Sequence, residues 1–209
     1  HDLLSRFMAS QDETYSESKV PLRDVVISFL LAGRETTSSA LTWFFWLLSS
    51  RTDVQHRIRD EVAAVRARRA QDDVDSVVGF DLDEIREMHY VHAAITESMR
   101  LYPPVPVNSL LAETDDVLPD GTAVRAGWFV AYNSYGMGRM ESVWGDDARE
   151  YRPERWLNPS DGMFRPDSPF RFVAFHAGLR LCLGKEMAYI QMKSIVACVL
   201  EEPVRHPQR

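Results

Sequence analysis

The chain has 209 residues, of which 45% are hydrophobic and 26% charged, and it carries a formal net charge of −7 at pH 7. That length suits one domain or two small ones with a substantial core, and the acidic balance argues against a nucleic-acid partner, because no basic patch stands ready to neutralise phosphates. Two cysteines do not make a disulfide scaffold, so a reducing compartment or a special role for one thiol is expected.

The chain opens on HDLLSRFMAS, with neither an initiator Met nor a signal peptide, and reads as the middle of something longer. Residues 10–20 are polar and irregular, a predicted loop. Pro21 suits the first turn of a helix, and the apolar pattern then runs to about Ser50. Its two apolar runs, 25–33 and 40–48, are separated by Arg34, Glu35, Thr36 and Thr37. A spanning helix needs about 20 uninterrupted apolar residues, and an Arg near mid-bilayer costs at least about 2.5 kcal/mol. A buried helix with a polar centre is therefore expected instead.

Thr52 with Gln55 predicts a capping box for a second helix ending near Ala70. A loop follows, then a short helical start at Asp81 and Glu84. Residues 90–101 have helical spacing and are stopped by Pro103-Pro104. The segments VPVNSLLAE, GTAVRAG and WFVAYNSY are β-branched or aromatic and flank the turn signal Pro119-Asp120-Gly121, so they read as strands. Residues 141–174 hold four prolines among Trp, Arg and Asp, a pattern of ordered coil if its aromatics pack. A last helix is predicted over 184–200, stopped by Pro203, and no repeat or domain linker is visible. The predicted fold class is mainly α with small β-sheets.

The segment FHAGLRLCLG carries Phe175, Gly178, Arg180, Cys182 and Gly184 in the pattern F-x-x-G-x-R-x-C-x-G. Five specified positions recur by chance at roughly one in a million start points, so coincidence does not account for it. Cys182 lies just before a predicted helix, where free N–H groups and the positive dipole end favour thiolate over thiol. The alternative for Cys182 is a small buried hydrophobe, which is the expectation kept for Cys198, deep in the last helix. The segment resembles the haem-binding loop of the cytochromes P-450, the haem-thiolate monooxygenases. The resemblance implies the C-terminal half of that fold, and Cys182 as the metal ligand of haem b (iron protoporphyrin IX). A thiolate there pushes electron density onto the iron and favours O–O cleavage. It further implies Phe175 packed beneath the ring, Arg180 paired with a propionate, and Gly178 and Gly184 permitting a tight turn and close approach to the porphyrin.

The polar centre of the first helix, AGRETT, is similar to the family's oxygen-activation segment. In that reading Ala32 and Gly33 let the helix widen for dioxygen, Thr36 hydrogen-bonds the oxygen, and Glu35 relays protons to it. Read alone, a Thr in such a helix often just back-bonds to a carbonyl. Glu97 and Arg100, in ESMR, match E-x-x-R one helical turn apart. RPERW supplies Arg155, which in this family closes a structural Glu–Arg–Arg network. Val105, Pro106 and Val107 line the substrate side in the family.

His89 and His92 are three apart, with no third ligand spaced for a metal, so packing is expected of them. There is no Gly-rich nucleotide fingerprint and no flavin or ferredoxin segment. Electrons are therefore expected from NADPH through a separate cytochrome P-450 reductase.

The segments YVHAAITESMRLYPPVPV and YGMGRMESVWGDDAREYRPERWL look most like the plant fatty-acid ω-hydroxylase clan, which implies oxygen insertion near the terminal carbon of a fatty acid or oxylipin. The resemblance also implies a longer protein on the cytosolic face of the endoplasmic reticulum membrane. Its N-terminal half, with the anchor, a haem-contacting helix and the lid over the substrate, lies outside these residues. The tail EEPVRHPQR departs from the family's terminal β-region, and the 209 residues alone are not expected to hold haem. Two alternatives stand beside the monooxygenase: a haem-dependent hydroperoxide isomerase or dehydratase, against which Glu35-Thr36 and the unmodified loop argue, and a non-catalytic fragment that binds a partner.

Overall fold

The computed structural model describes residue 5 and residues 22–72 and 79–201. The predicted loop at 10–20 and the stop at Pro203 fall outside the described residues. Helix α1 spans Leu22–Leu48 without interruption, α2 Thr52–Asp72, α3 Leu82–Glu87 and α4 His89–Leu101. The strands β1 (Asn108–Leu111), β2 (Asp116–Val117), β3 (Ala123–Val124) and β4 (Phe129–Tyr132) follow. Two one-turn helices, α5 (Ser134–Met137) and α6 (Glu141–Trp144), and the 3₁₀ turns Pro153–Trp156, Val173–Phe175 and Gly178–Arg180 lead to α7 (Lys185–Leu200).

The core forms where helical stripes meet. Ala40, Phe44 and Leu48 recur every four residues on α1 and are buried. Val54, Ile58, Val62 and Val65 make the matching stripe on α2. Tyr189, Met192, Val196 and Ala197 do the same on α7. Helix α4 lies between them, buried from Ala93 through Leu101, and packs on α1, α2, α7 and the Pro153–Trp156 turn. A helix enclosed on all sides must satisfy its first N–H groups from elsewhere. Glu61 on α2 does so: its carboxylate accepts the Tyr90 N–H at 2.7 Å and the Val91 N–H at 2.8 Å. Burial pushes the Glu61 carboxyl above its ordinary value despite these bonds.

Four strands form where three segments are expected, in two antiparallel pairs. β1 pairs with β4 in the register Asn108↔Tyr132 to Leu111↔Phe129. β2 pairs with β3, joined at the Pro119-Asp120-Gly121 turn, where Gly121 N–H donates to the Leu118 carbonyl at 2.8 Å.

Several local expectations change. The Thr52–Gln55 capping box gives way to a different arrangement: Thr52 is already helical, and the Gln55 amide donates to the Leu48 carbonyl at 2.7 Å. Gln55 thus closes the C-terminal end of α1 rather than the start of α2. The short helical start at Asp81 and Glu84 forms a capping box, with Glu84 N–H donating to Asp81 at 2.8 Å and Asp81 N–H to Glu84 at 2.7 Å. Cys198 is exposed, not buried, because it lies on the face of α7 turned away from Val196 and Ala197.

A close backbone approach packs the segment after β4 against α4. At Gly138 an added Cβ would stand 2.1 Å from the Arg100 carbonyl oxygen, which is backbone and cannot swing aside. Gly138→Ala is expected to destabilise the fold by about 3 kcal/mol through this overpacking, read as a lowered urea midpoint at unchanged slope.

Candidate functional site

Three of the sequence-predicted residues converge behind α4. Glu97 is 0% exposed, and its carboxylate accepts five hydrogen bonds. Arg100 donates through Nε at 2.7 Å and Nη2 at 2.8 Å, a bidentate fork. Arg155 Nε donates at 3.0 Å, the Arg152 backbone N–H at 3.0 Å and Trp156 Nε1 at 2.9 Å. Arg100 uses its remaining donors on the carbonyls of Gly138, Ala148 (2.6 Å) and Glu150 (3.0 Å). Arg155 reaches the Asp147 carboxylate at 3.1 Å. Burial opposes the charge on Arg155, but the Glu97 and Asp147 carboxylates outweigh it and hold the guanidinium above its ordinary value. Trp156, Arg152, Asp147 and Gly138 belong to this network and were not expected from sequence; only the proximity of Trp156 to Arg155 in RPERW hinted at one of them.

The cysteine loop starts where the coil 153–174 ends. Phe175 packs against Tyr189 of α7, with ring centroids 5.3 Å apart, and against Phe172 at 6.5 Å. The Cys182 N–H donates to the Phe175 carbonyl at 2.8 Å, and the Leu181 N–H to the Gly178 carbonyl at 3.1 Å. These bonds close the loop at its base. Gly178 adopts φ +63°, a left-handed conformation, with open space where a Cβ would sit. Gly184 is at φ −87°, which any residue adopts, so the turn itself does not demand glycine there. A Cβ at that position would stand 3.9 Å from Cys182 Sγ, an ordinary contact distance.

The remaining predicted residues lie apart from these two clusters. Ala32, Gly33 and Glu35 are exposed on α1, and the helix passes through Ala32-Gly33 without widening. Thr36 Oγ1 donates to the Ala32 carbonyl at 2.6 Å, so its hydroxyl proton serves the helix itself. Glu35 stands 3.6 Å from Arg34, both well exposed. Among the described residues, no hydrogen bond or ion pair joins Glu35 or Thr36 to the cysteine loop. Val105, Pro106 and Val107 are exposed just ahead of β1. His92 stacks on Phe164, with centroids 3.7 Å apart at 11°, and against Tyr189 at 4.0 Å, so packing accounts for it.

Do the residues present suit a flat, apolar, anionic-edged cofactor bound through sulfur? Cys182 is half-buried with a free thiol. Around it Leu179 and Leu183 are almost fully exposed and Leu181 nearly half so. Exposed leucines grouped about one thiol form an apolar surface that a monomer rarely leaves open. Arg180 is exposed and makes no ion pair with any described residue, which leaves its guanidinium for a carboxylate. The residues fit haem.

A family model for cytochrome P-450 matches residues 1–202. The chain belongs to the cytochrome P-450 family. It is 56% identical to cytochrome P-450 CYP94D108 of Paris polyphylla over 200 residues, covering 96% of this chain and 39% of that protein. Identity is 50% to cytochrome P-450 94C1 of Arabidopsis thaliana, over 96% of this chain and 39% of the relative. It is 48% to cytochrome P-450 94A2 of Vicia sativa, over 95% and 36%. The chain thus spans about two-fifths of the length of the curated relatives it matches. As a family, the cytochromes P-450 are haem-thiolate proteins that use haem b.

Two measurements probe this cytochrome P-450 region. Glu97→Gln keeps the shape but leaves Arg100 buried without its counter-charge and Arg155 with Asp147 alone. A loss of about 3–5 kcal/mol is expected, seen as unfolding at much lower urea. His92 is neutral in the fold, burial having lowered its pKa from 6.5 to about 3. Between those values the unfolded chain binds a proton that the folded chain does not, so stability is full above pH 6.5 and falls as pH drops toward 3. His92→Phe should flatten that dependence in urea titrations run across the same pH window.

Proposed function

We propose that this chain supplies the cysteine-ligand half of a haem-thiolate monooxygenase that inserts one oxygen atom from O2 into a lipid-like substrate. The observation that carries the reading is the closed loop from Phe175 to Cys182, which presents a free thiol among exposed leucines beside Arg180, exposed and without an ion pair among the described residues. Haem bound there supplies oxygen activation, which no side chain of this chain performs by itself.

The chain's own residues divide the remaining work. Cys182 gives the thiolate ligand, and the Phe175 carbonyl fixes the backbone that carries it. Arg180 neutralises a propionate. Leu179, Leu181 and Leu183 exclude water from the sulfur side. On α1, Thr36, whose proton goes to the Ala32 carbonyl, would accept a hydrogen bond on the dioxygen side, and exposed Glu35 would relay protons from solvent. The small pair Ala32-Gly33 leaves space beside them. Val105, Pro106 and Val107 meet the substrate.

Omega-hydroxylation of a fatty acid or oxylipin is the finer reading. It rests on the likeness of residues 90–107 and 135–157 to the plant fatty-acid ω-hydroxylase clan. Electrons arrive from NADPH through a separate reductase, and the protein works at the endoplasmic reticulum membrane through an anchor contributed by other parts of the polypeptide. No helix among the described residues is long and apolar enough to cross a membrane.

The test is made on the full polypeptide that carries this chain, co-expressed with a plant reductase. The reduced, carbon-monoxide-bound protein should show a thiolate-type Soret band that Cys182→Ser abolishes together with product formation from a panel of fatty acids. Survival of both the band and the products in Cys182→Ser would overturn the assignment.

A further inference from the structure

His176 is the sole non-glycine among the described residues with a positive φ, +61° with ψ −175°. That combination is occupied almost only by glycine, since a Cβ crowds the adjoining carbonyls. A strained residue persists where its surroundings over-determine it, and the place of this one is specific. His176 is the first residue inside the loop that the Cys182 N–H to Phe175 carbonyl bond closes. Its own N–H donates to the Val173 carbonyl at 3.0 Å, and Ala177 beyond it is extended, so the chain reverses at His176 itself.

The holding group comes from the sheet. Tyr132, the last residue of β4, places Oη 2.6 Å from His176 Nδ1, with the two rings nearly perpendicular at 88°. Burial pushes the Tyr132 phenol above its ordinary value, so it stays protonated, and the tautomer of His176 sets which of the two groups donates. Tyr132 is in turn fixed by its register opposite Asn108 on β1, whose amide donates to Ser134 Oγ at 3.1 Å.

We propose that the Tyr132–His176 hydrogen bond is a latch that holds the strained backbone of the cysteine loop, making both residues positioning residues for Cys182. The latch couples the β1–β4 sheet, which follows directly on Val105–Val107, to the sulfur. Either ring alone does not suffice: His176 supplies the strained backbone, and Tyr132 supplies the bond that keeps it there. The link from loop position to metal ligation rests on Cys182 being the ligand; the latch itself does not.

Hydrogen exchange of the Cys182 amide, measured in the full polypeptide, reads the latch without reference to turnover. Tyr132→Phe keeps the ring and removes the hydroxyl, and should speed that exchange about tenfold, the effect of losing one hydrogen bond. In the His176→Gly background both the strain and the partner of the Tyr132 hydroxyl are gone, so adding Tyr132→Phe should change the exchange less than twofold. A merely structural tyrosine would act equally in both backgrounds. Unchanged exchange in Tyr132→Phe, or an equal effect in the two backgrounds, overturns the proposal. As a second readout, Tyr132→Phe should raise the share of thiol-type over thiolate-type Soret absorbance in the reduced, carbon-monoxide-bound protein. A thiolate-type band that survives Cys182→Ser sinks the ligand assignment, while the exchange data still decide the latch.

Discussion

A carboxylate with no exposure to solvent organises this protein. Glu97 collects donors from its own helix (Arg100), from the 3₁₀ turn (Arg155 and Trp156) and from the backbone just before it (Arg152). Desolvating such a charge costs several kcal/mol unless its lone pairs are filled, and here five donors fill them. The consequence is geometric. Arg100 passes the constraint on to the carbonyls of Gly138, Ala148 and Glu150, and these pin the irregular coil after the sheets. The backbone bonds of this coil are short-range turns, such as Ala148 to Gly145 and Glu150 to Asp147, and do not tie it to the helices. It holds its path because α4 reaches out with guanidinium donors.

The cysteine loop depends on that path. Trp156 packs on Phe172, and Phe172 on Phe175, with centroids 5.1 and 6.5 Å apart. The loop's starting residue is thus tied through aromatic contacts to a residue that itself bonds Glu97. At the other end, Tyr189 of α7 meets both Phe175 and His92 and shares a hydrogen bond of 2.9 Å with Thr96 on α4. Burial raises the Tyr189 phenol well above its ordinary range, so it stays neutral within the core. The loop is held between a polar network on one side and an aromatic stack on the other, with its leucines left outside.

Much of this was legible in the sequence because the signals are local. Spacing gave the five long or short helices to within a few residues, since apolar side chains four apart must share a face. The helical start at Asp81 and Glu84 was readable because helix-start signals are relations between neighbours. Gln55 misled for the opposite reason: its amide found the end of the preceding helix, and sequence spacing does not distinguish a cap before from a cap behind. Cys198 misled because α7 has an exposed face that composition alone does not reveal. The Glu–Arg–Arg set was nameable from resemblance, but Trp156, Arg152 and Gly138 were not, because each joins it across distances in sequence that only folding closes.

By itself the sequence determined the element order, the pairing of a cysteine loop with a helix start, and the identity of the groups that carry charge. Those follow from residue type and short-range periodicity. Tertiary structure alone decided which charges are buried, that Glu61 caps a helix on another element, and that a tyrosine from a β-strand meets a strained histidine. Each of these is a contact between residues remote in the chain, set by packing rather than by neighbours along the backbone.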